Sequence, residues 1–190
     1  SASVGITFAR QAGELKIPAM QVGINVEAQK DGFWQATQKM GNYVSTLNTY
    51  ARGVEYNELT KPFVDGYVKR FNETPPYTAD TYTAIVYTLA PTIEQAGTLD
   101  SDKLVSVLEN RVYKGPAGTI AYLKDAEGRP LHELKWGPGG LTSLGVQWQD
   151  GVIKGVWPNK WKATPEAPEI TYKGIVPYKI PPWVAEKYKK

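Results

Sequence analysis

His132, in the stretch GRPLHELKWG, is the single histidine of this 190-residue sequence, and there is no cysteine. Histidine and cysteine are the side chains best placed to serve as base, nucleophile or metal ligand near neutral pH. A Ser-His-Asp arrangement would have to run through His132. No G-x-S-x-G, H-E-x-x-H, phosphate-binding loop or G-x-G-x-x-G accompanies it. The residues around it predict a histidine on the face of a strand. Without cysteine there is no disulfide scaffold, no thiolate-held zinc and no thiol nucleophile. The 19 Asp and Glu residues show no spacing that singles out an acid/base pair. The chain is therefore expected to bind rather than to catalyse, without cofactor or metal.

The partner classes narrow in the same way. A net charge of +3 is weak and the lysines are scattered, whereas nucleic-acid binding rests on clustered positive charge. Only the tail EKYKK is locally basic, and it reads as a solvated end. Hydrophobic residues at 42% and charged residues at 22% describe a globular chain. No apolar run approaches the roughly 18–20 residues of a membrane span. The sequence opens on Ser1 with no signal peptide, so the expectation is that it follows a processing or cleavage event.

The elements that must position any binding groups can be read from periodicity. Val4, Phe8, Ala12 and Leu15 fall at helical spacing before Pro18, and AMQVGI then reads as a short buried strand. A helix followed by a strand implies a preceding strand, because in parallel α/β sheets each helix is a crossover. A second helix is predicted over AQKDGFWQATQKM, then a strand over NYVSTLN and a connection through TYARGVEYNELT. Phe63, Tyr67 and Phe71, with Val64 and Val68, mark a strong helix that NETPP breaks. Tyr82, Ile85, Val86, Leu89 and Ile93 mark the next, ending at Gly97 as C-cap. A third follows over TLDSDKLVSVLENRVY, with Ser101 or Asp102 as N-cap.

Beyond that point the period changes to two. GTIAYLK and LHELKWG flank a turn containing Gly128. In LGVQWQDGVIKGVWPNKW, Asp150-Gly151 predicts a two-residue type I′ turn that sets Trp148 opposite Ile153 and Val146 opposite Gly155. Trp157 would continue the same face, so both tryptophans are expected to close a core rather than form a ligand platform. The proline-rich remainder is expected to wrap the surface.

One stretch resembles a known family. KPFVDGYVKRFNETPPYTADTYTAIVYTLAPTIEQAGTLDSDKL is similar to part of the leucine/isoleucine/valine-binding type of solute-binding protein that serves ABC importers. Phe63, Tyr67, Pro76, Tyr77, Ala79, Tyr82, Ala84, Ala96 and Gly97 carry the resemblance. YKGPAGTIAYLKDAEGRP, VQWQDGVIKGVWP and PPW extend it in the right order. Family members are longer, and this chain resembles their C-terminal half. The resemblance implies an α/β fold: part of a two-lobed, type I periplasmic-binding-protein architecture of doubly wound sheets and discontinuous lobes, with the N-terminal half absent. Crossings near NTYARG and LKWG would assign residues 1–50 to the second lobe, 51–136 to the first, and 137–190 to a return to the second plus a tail.

The resemblance also implies a ligand held between lobes at the carboxyl ends of strands. Tyr77 falls where the family places an aromatic at the cleft edge, and it either meets the ligand or packs on NETPP. Thr78 is placed to donate from the helix start. In GINVE, Asn25 takes the position matching the family's ammonium-binding acid, with Glu27 two residues on. That departure leaves α-amino-acid specificity open. Trp34 either lines the cleft or packs in the core. The implied partners are a small-molecule ligand (an amino acid or organic acid), an ABC permease in the membrane and the other half of the receptor. The implied location is periplasmic or extracellular, with a lipid anchor on the absent N-terminus as one arrangement. A sensory module of the same fold is the alternative, and the lone His132 argues against a hydrolase.

Overall fold

The computed structural model describes residues 2–165 and 167–189. Its helices are α1 (Ala2–Glu14), α2 (Phe33–Ala36), α3 (Thr60–Phe71), α4 (Ala79–Ala84), α5 (Ala90–Ala96), α6 (Ser101–Asn110) and α7 (Pro182–Lys187). The strands are β1 (Ser45–Asn48), β2 (Tyr113–Gly115), β3 (Gly118–Ile120), β4 (Tyr122–Lys124), β5 (Pro130–Leu134), β6 (Leu144–Gln149), β7 (Val152–Trp157), β8 (Lys160–Trp161) and β9 (Ile170–Thr171). Among the described residues no helix is long and apolar enough to cross a membrane.

Asp150 and Gly151 reverse the chain between β6 and β7 with φ of 55° and 85°, the two positive values that a type I′ turn needs. Trp148 stands opposite Ile153 and Val146 opposite Gly155, the expected register. The ladder then slips, and Gly145 pairs with Trp157. Val156 is the extra residue of a bulge, which turns everything beyond it to the other face. Trp148 is 1% exposed but Trp157 is 53% exposed, so the expectation that both close the core fails for Trp157.

β1 adds to β6 to complete an antiparallel sheet of order β1-β6-β7. One core forms on the face carrying Leu144, Val146, Trp148 and Ile153, and it gathers Ala9, Ala28, Phe33, Val44, Ala51 and Val54. The Trp148 indole N–H donates to the Ala28 carbonyl at 2.8 Å, so its one polar atom is satisfied. Gln147 and Gln149 point to the other face and hold the tail. Gln147 Nε2 donates to the Lys179 carbonyl at 2.8 Å and Gln147 Oε1 accepts from the Lys179 amide at 2.9 Å, while Gln149 Nε2 donates to the Pro177 carbonyl at 2.9 Å. The proline-rich end is a strap over the sheet.

A second, smaller core joins Tyr50, Val64 and Ala79, with Phe63, Tyr67 and Val68 of α3 packed against it. α3 ends at Asn72 and α5 at Gly97, both left-handed C-caps. α4 and α5 are one rod joined by a π-helical turn at Ile85–Leu89. Asp100 caps α6 by accepting from the Lys103 amide at 3.1 Å, so the N-cap is one residue before Ser101 and two before Asp102, the two expected candidates.

Two further expectations are corrected. AMQVGI is not a strand: a single parallel bridge joins Val22 to Ser45, and Val22 and Ile24 are 70% and 79% exposed. A strand of a parallel sheet is buried by neighbours on both sides, and here a neighbour stands on one side only. The helix over AQKDGFWQATQKM is divided into a 3-10 turn at Val26–Gln29 and the short α2, with Lys30, Asp31 and Gly32 between them.

Candidate functional site

The carboxyl end of β1 is where the two cores meet. Asn25 approaches β1 nearer its start: its amide donates to Thr46 Oγ1 at 3.0 Å, and its side-chain Nδ2 donates to the Gly5 carbonyl at 3.4 Å. Glycine at position 5 leaves room for the Asn25 side chain, since a Cβ there would lie 2.5 Å from Asn25 Oδ1 and displace it. α4 approaches from the other side, and Thr49 Oγ1 donates to Asp80 Oδ2 at 2.5 Å. Thr46 and Thr49 are three residues apart, about 10 Å along an extended chain. The loop bearing Asn25 therefore meets β1 near its start, and the first turn of α4 meets the residue just past its end.

Apolar space opens beside Asn25. A cavity of about 660 Å³ lies between α1, the Met20–Val26 segment and the start of β1, walled by Val4, Phe8, Val22, Ile24, Val26 and Val44. Gln21, Asn25 and Ser45 supply its polar groups, all neutral. A second space of about 370 Å³ lies across Val22–Ile24, against Leu47, Val156, Trp157 and Tyr178. Such walls suit aliphatic groups, and the polar atoms offer neutral hydrogen bonds rather than a counter-charge.

The side chains singled out in the sequence fall in different places. Asn25 borders the larger cavity. Glu27 belongs to the 3-10 turn and pairs with Lys30 at 2.9 Å, so its carboxylate already has a cation. Tyr77 is 45% exposed. It immediately precedes Thr78, the N-cap residue of α4, whose side chain makes no capping bond. Trp34 is half-buried and stacked on Trp148, with ring centroids 6.0 Å apart and planes 9° apart. It also lies against the hairpin turn at Gly151. His132 is exposed on β5 and faces Glu109 at 3.2 Å. Among the described residues no group of three or more acidic, histidine or cysteine side chains could hold a metal ion.

A polar cluster at the same strand end gave no sequence signal. Tyr56 donates its hydroxyl to the Thr49 carbonyl at 3.0 Å, and Asn48 Nδ2 donates to the Tyr50 carbonyl at 2.9 Å. Burial raises the Asp80 carboxyl above its ordinary value, while the Thr49 hydroxyl that donates to it and the nearby Tyr50 hydroxyl partly offset this. Burial and the nearby Asp80 raise the Tyr50 hydroxyl as well. An aspartate in the first turn of a helix is an ordinary helix-start residue, which is why Asp80 did not stand out.

No protein-family model matches the chain, and no curated protein sequence does. Solved structures do. A leucine-binding protein from Thermotoga maritima shares 18% identity and a TM-score of 0.56 over 82% of this chain and 41% of its own. A branched-chain amino acid ABC transporter protein from Silicibacter pomeroyi shares 15% identity and a TM-score of 0.57 over 94% of this chain and 44% of its own. The chain thus spans less than half the length of these neighbours. Its fold is part of the type I periplasmic-binding-protein architecture.

Proposed function

We propose that this chain is the C-terminal portion of an extracytoplasmic solute-binding protein, which captures a branched-chain or related amino acid between two lobes and delivers it to an ABC permease. The observation that carries the reading is the meeting of two separately cored units at the carboxyl end of β1, the place where open α/β sheets bind ligands. The likeness to two branched-chain amino acid transport proteins supports it. In this reading the lobes divide near Tyr50 and Trp136. Asn25 and Glu27 approach the ligand from one lobe, Tyr77 and Thr78 from the other, and Trp34 stands behind the first pair. The role is capture and not catalysis, so His132→Ala leaves ligand binding unchanged.

A second reading is favoured by one feature. A buried ammonium needs an anionic partner, yet the cavity beside Asn25 has a neutral lining and Glu27 is held by Lys30. A non-amino organic acid fits that lining without a counter-charge. Calorimetry on the longer receptor, with leucine and with its 2-oxo acid analogue, separates the two. If Glu27 holds an ammonium, Glu27→Gln weakens leucine by about 1.5–3 kcal/mol and spares the oxo acid. If Asn25 is the group, Asn25→Ala weakens both by about 0.5–1.5 kcal/mol and Glu27→Gln changes neither. Absence of binding by either compound would overturn both readings.

A further inference from the structure

The two cores are joined by the segment leaving β1, and within it Tyr50 packs in the smaller core while Ala51 and Val54 pack in the larger. A set of polar contacts spans the same boundary. Asp31 lies between the 3-10 turn and α2, whose Ala28 and Phe33 belong to the larger core. Thr74 lies between α3 and α4, whose Val64 and Ala79 belong to the smaller one. Asp31 Oδ2 accepts from Arg52 Nη2 at 2.7 Å and from the Thr74 amide at 2.9 Å. Arg52 then reaches the smaller core's side, donating through Nε to Thr74 Oγ1 at 3.0 Å and through Nη2 to the Asn72 carbonyl at 3.3 Å.

We propose that Asp31, Arg52 and Thr74 form a clasp that sets the angle between the sheet-bearing core and the helical core. One carboxylate oxygen serves a guanidinium from the crossing segment and a main-chain amide from the far side. Arg52 lies between Ala51 and Val54 of the larger core, so rotating the units apart takes Asp31 from the Thr74 amide and Arg52 from Thr74 Oγ1 and the Asn72 carbonyl together. Thr74 is 3% exposed, so its amide cannot exchange Asp31 for water without further opening, and a buried amide left unpaired is costly. The Asp31 and Arg52 side chains are 30% and 39% exposed. Their ionic attraction is therefore screened by salt, while the amide bond is not. In the two-lobed reading above, this angle is the opening of the ligand cleft. The clasp itself rests on the contacts alone.

The absence of cysteine makes the test direct. Cysteines introduced at the exposed Gln35 of α2 and Lys69 of α3 carry paired spin labels, one on each unit. Inter-label distances are then measured by electron resonance on the full chain diluted with unlabelled protein. The parent is expected to give one narrow distribution. Asp31→Ala should at least double its width, Asp31→Asn should fall between because it keeps an acceptor for the Thr74 amide, and Arg52→Gln should resemble Asp31→Asn. Unchanged distributions in Asp31→Asn and Arg52→Gln, with circular dichroism like the parent's, would overturn the clasp even if Asp31→Ala does not fold. The readout needs no ligand, so failure here leaves the proposed binding role standing.

Discussion

Trp148 and Trp157 lie on opposite faces of one hairpin, because Val156 inserts an extra residue between Gly155 and the Trp157–Gly145 pair. Trp148 packs against Phe33 and Trp34 and donates to Ala28, whereas Trp157 meets Trp161 edge-on in a half-open setting. Trp148→Ala should cost about 3–5 kcal/mol, the usual loss for a buried large aromatic. Trp157→Ala should cost about 1 kcal/mol, the scale of an aromatic pair. Urea unfolding of the two variants checks the contrast, and equal losses would mean that the bulge does not separate them.

Gly174 is the tightest backbone contact beside the crossing segment. Its φ is 79°, and a Cβ there would sit 2.0 Å from the Gly53 carbonyl oxygen. The neighbouring Lys173 pairs with Glu55 through both main-chain bonds, at 2.8 and 3.1 Å. Gly174→Ala meets a left-handed backbone and a backbone clash together, and should destabilise by about 3 kcal/mol. Gly128→Ala is the control, since its φ of 81° comes with open space around it. It should cost about 1–2 kcal/mol. The difference between the midpoints of thermal unfolding isolates the clash.

Much of this was legible where local rules agree. The Asp150-Gly151 turn, the α3 stripe and the Gly97 cap each follow from a short stretch of sequence, and each is present. The bulge at Val156 was not legible, because Val156 and Trp157 are adjacent apolar residues and a period of two does not say which of them faces the core. The Val22 segment failed for a different reason. AMQVGI has strand composition, but a strand exists only with its neighbours, and one bridge to Ser45 is all it has among the described residues. The polar clusters at Asp31 and Asp80 depend on residues 21 to 43 positions apart, which no local period reports.

The exposed apolar surface around α1 carries its own expectation. Phe8, Val22 and Ile24 are 60%, 70% and 79% exposed around one groove, and a once-bridged segment forms its edge. Unpaired strand edges and large apolar patches drive association. The isolated chain should self-associate, and a complementary portion of a two-lobed receptor should return it to a single defined species. Light scattering with and without that portion reads this. A monodisperse, cooperatively folded monomer without any partner is the contrary result.

Asp80 should make stability depend on pH in a direction that can be worked out. Its surroundings are hydroxyls: Thr49 donates to Oδ2, Tyr50 lies beside it and Tyr56 stands near. Burial is the largest influence and raises its carboxyl above the ordinary value, against partial offsets from Thr49 and Tyr50. Between the unfolded value, about 3.9, and the raised native one, the folded state holds more protons than the unfolded state. The stabilising contribution is therefore complete below the unfolded value and is lost as pH rises through the native one. Asp80→Asn is neutral throughout and keeps an oxygen for Thr49. Its stability should match or exceed the parent's at pH 7, and the advantage should shrink as pH falls towards 3.5. Denaturant unfolding of both proteins at several pH values gives the difference free of every other titrating group. A difference that does not change with pH would show that the fold prefers neither form of Asp80, and an Asn variant less stable at pH 7 than at pH 4 relative to the parent would show that the ionised carboxylate is the form the fold prefers.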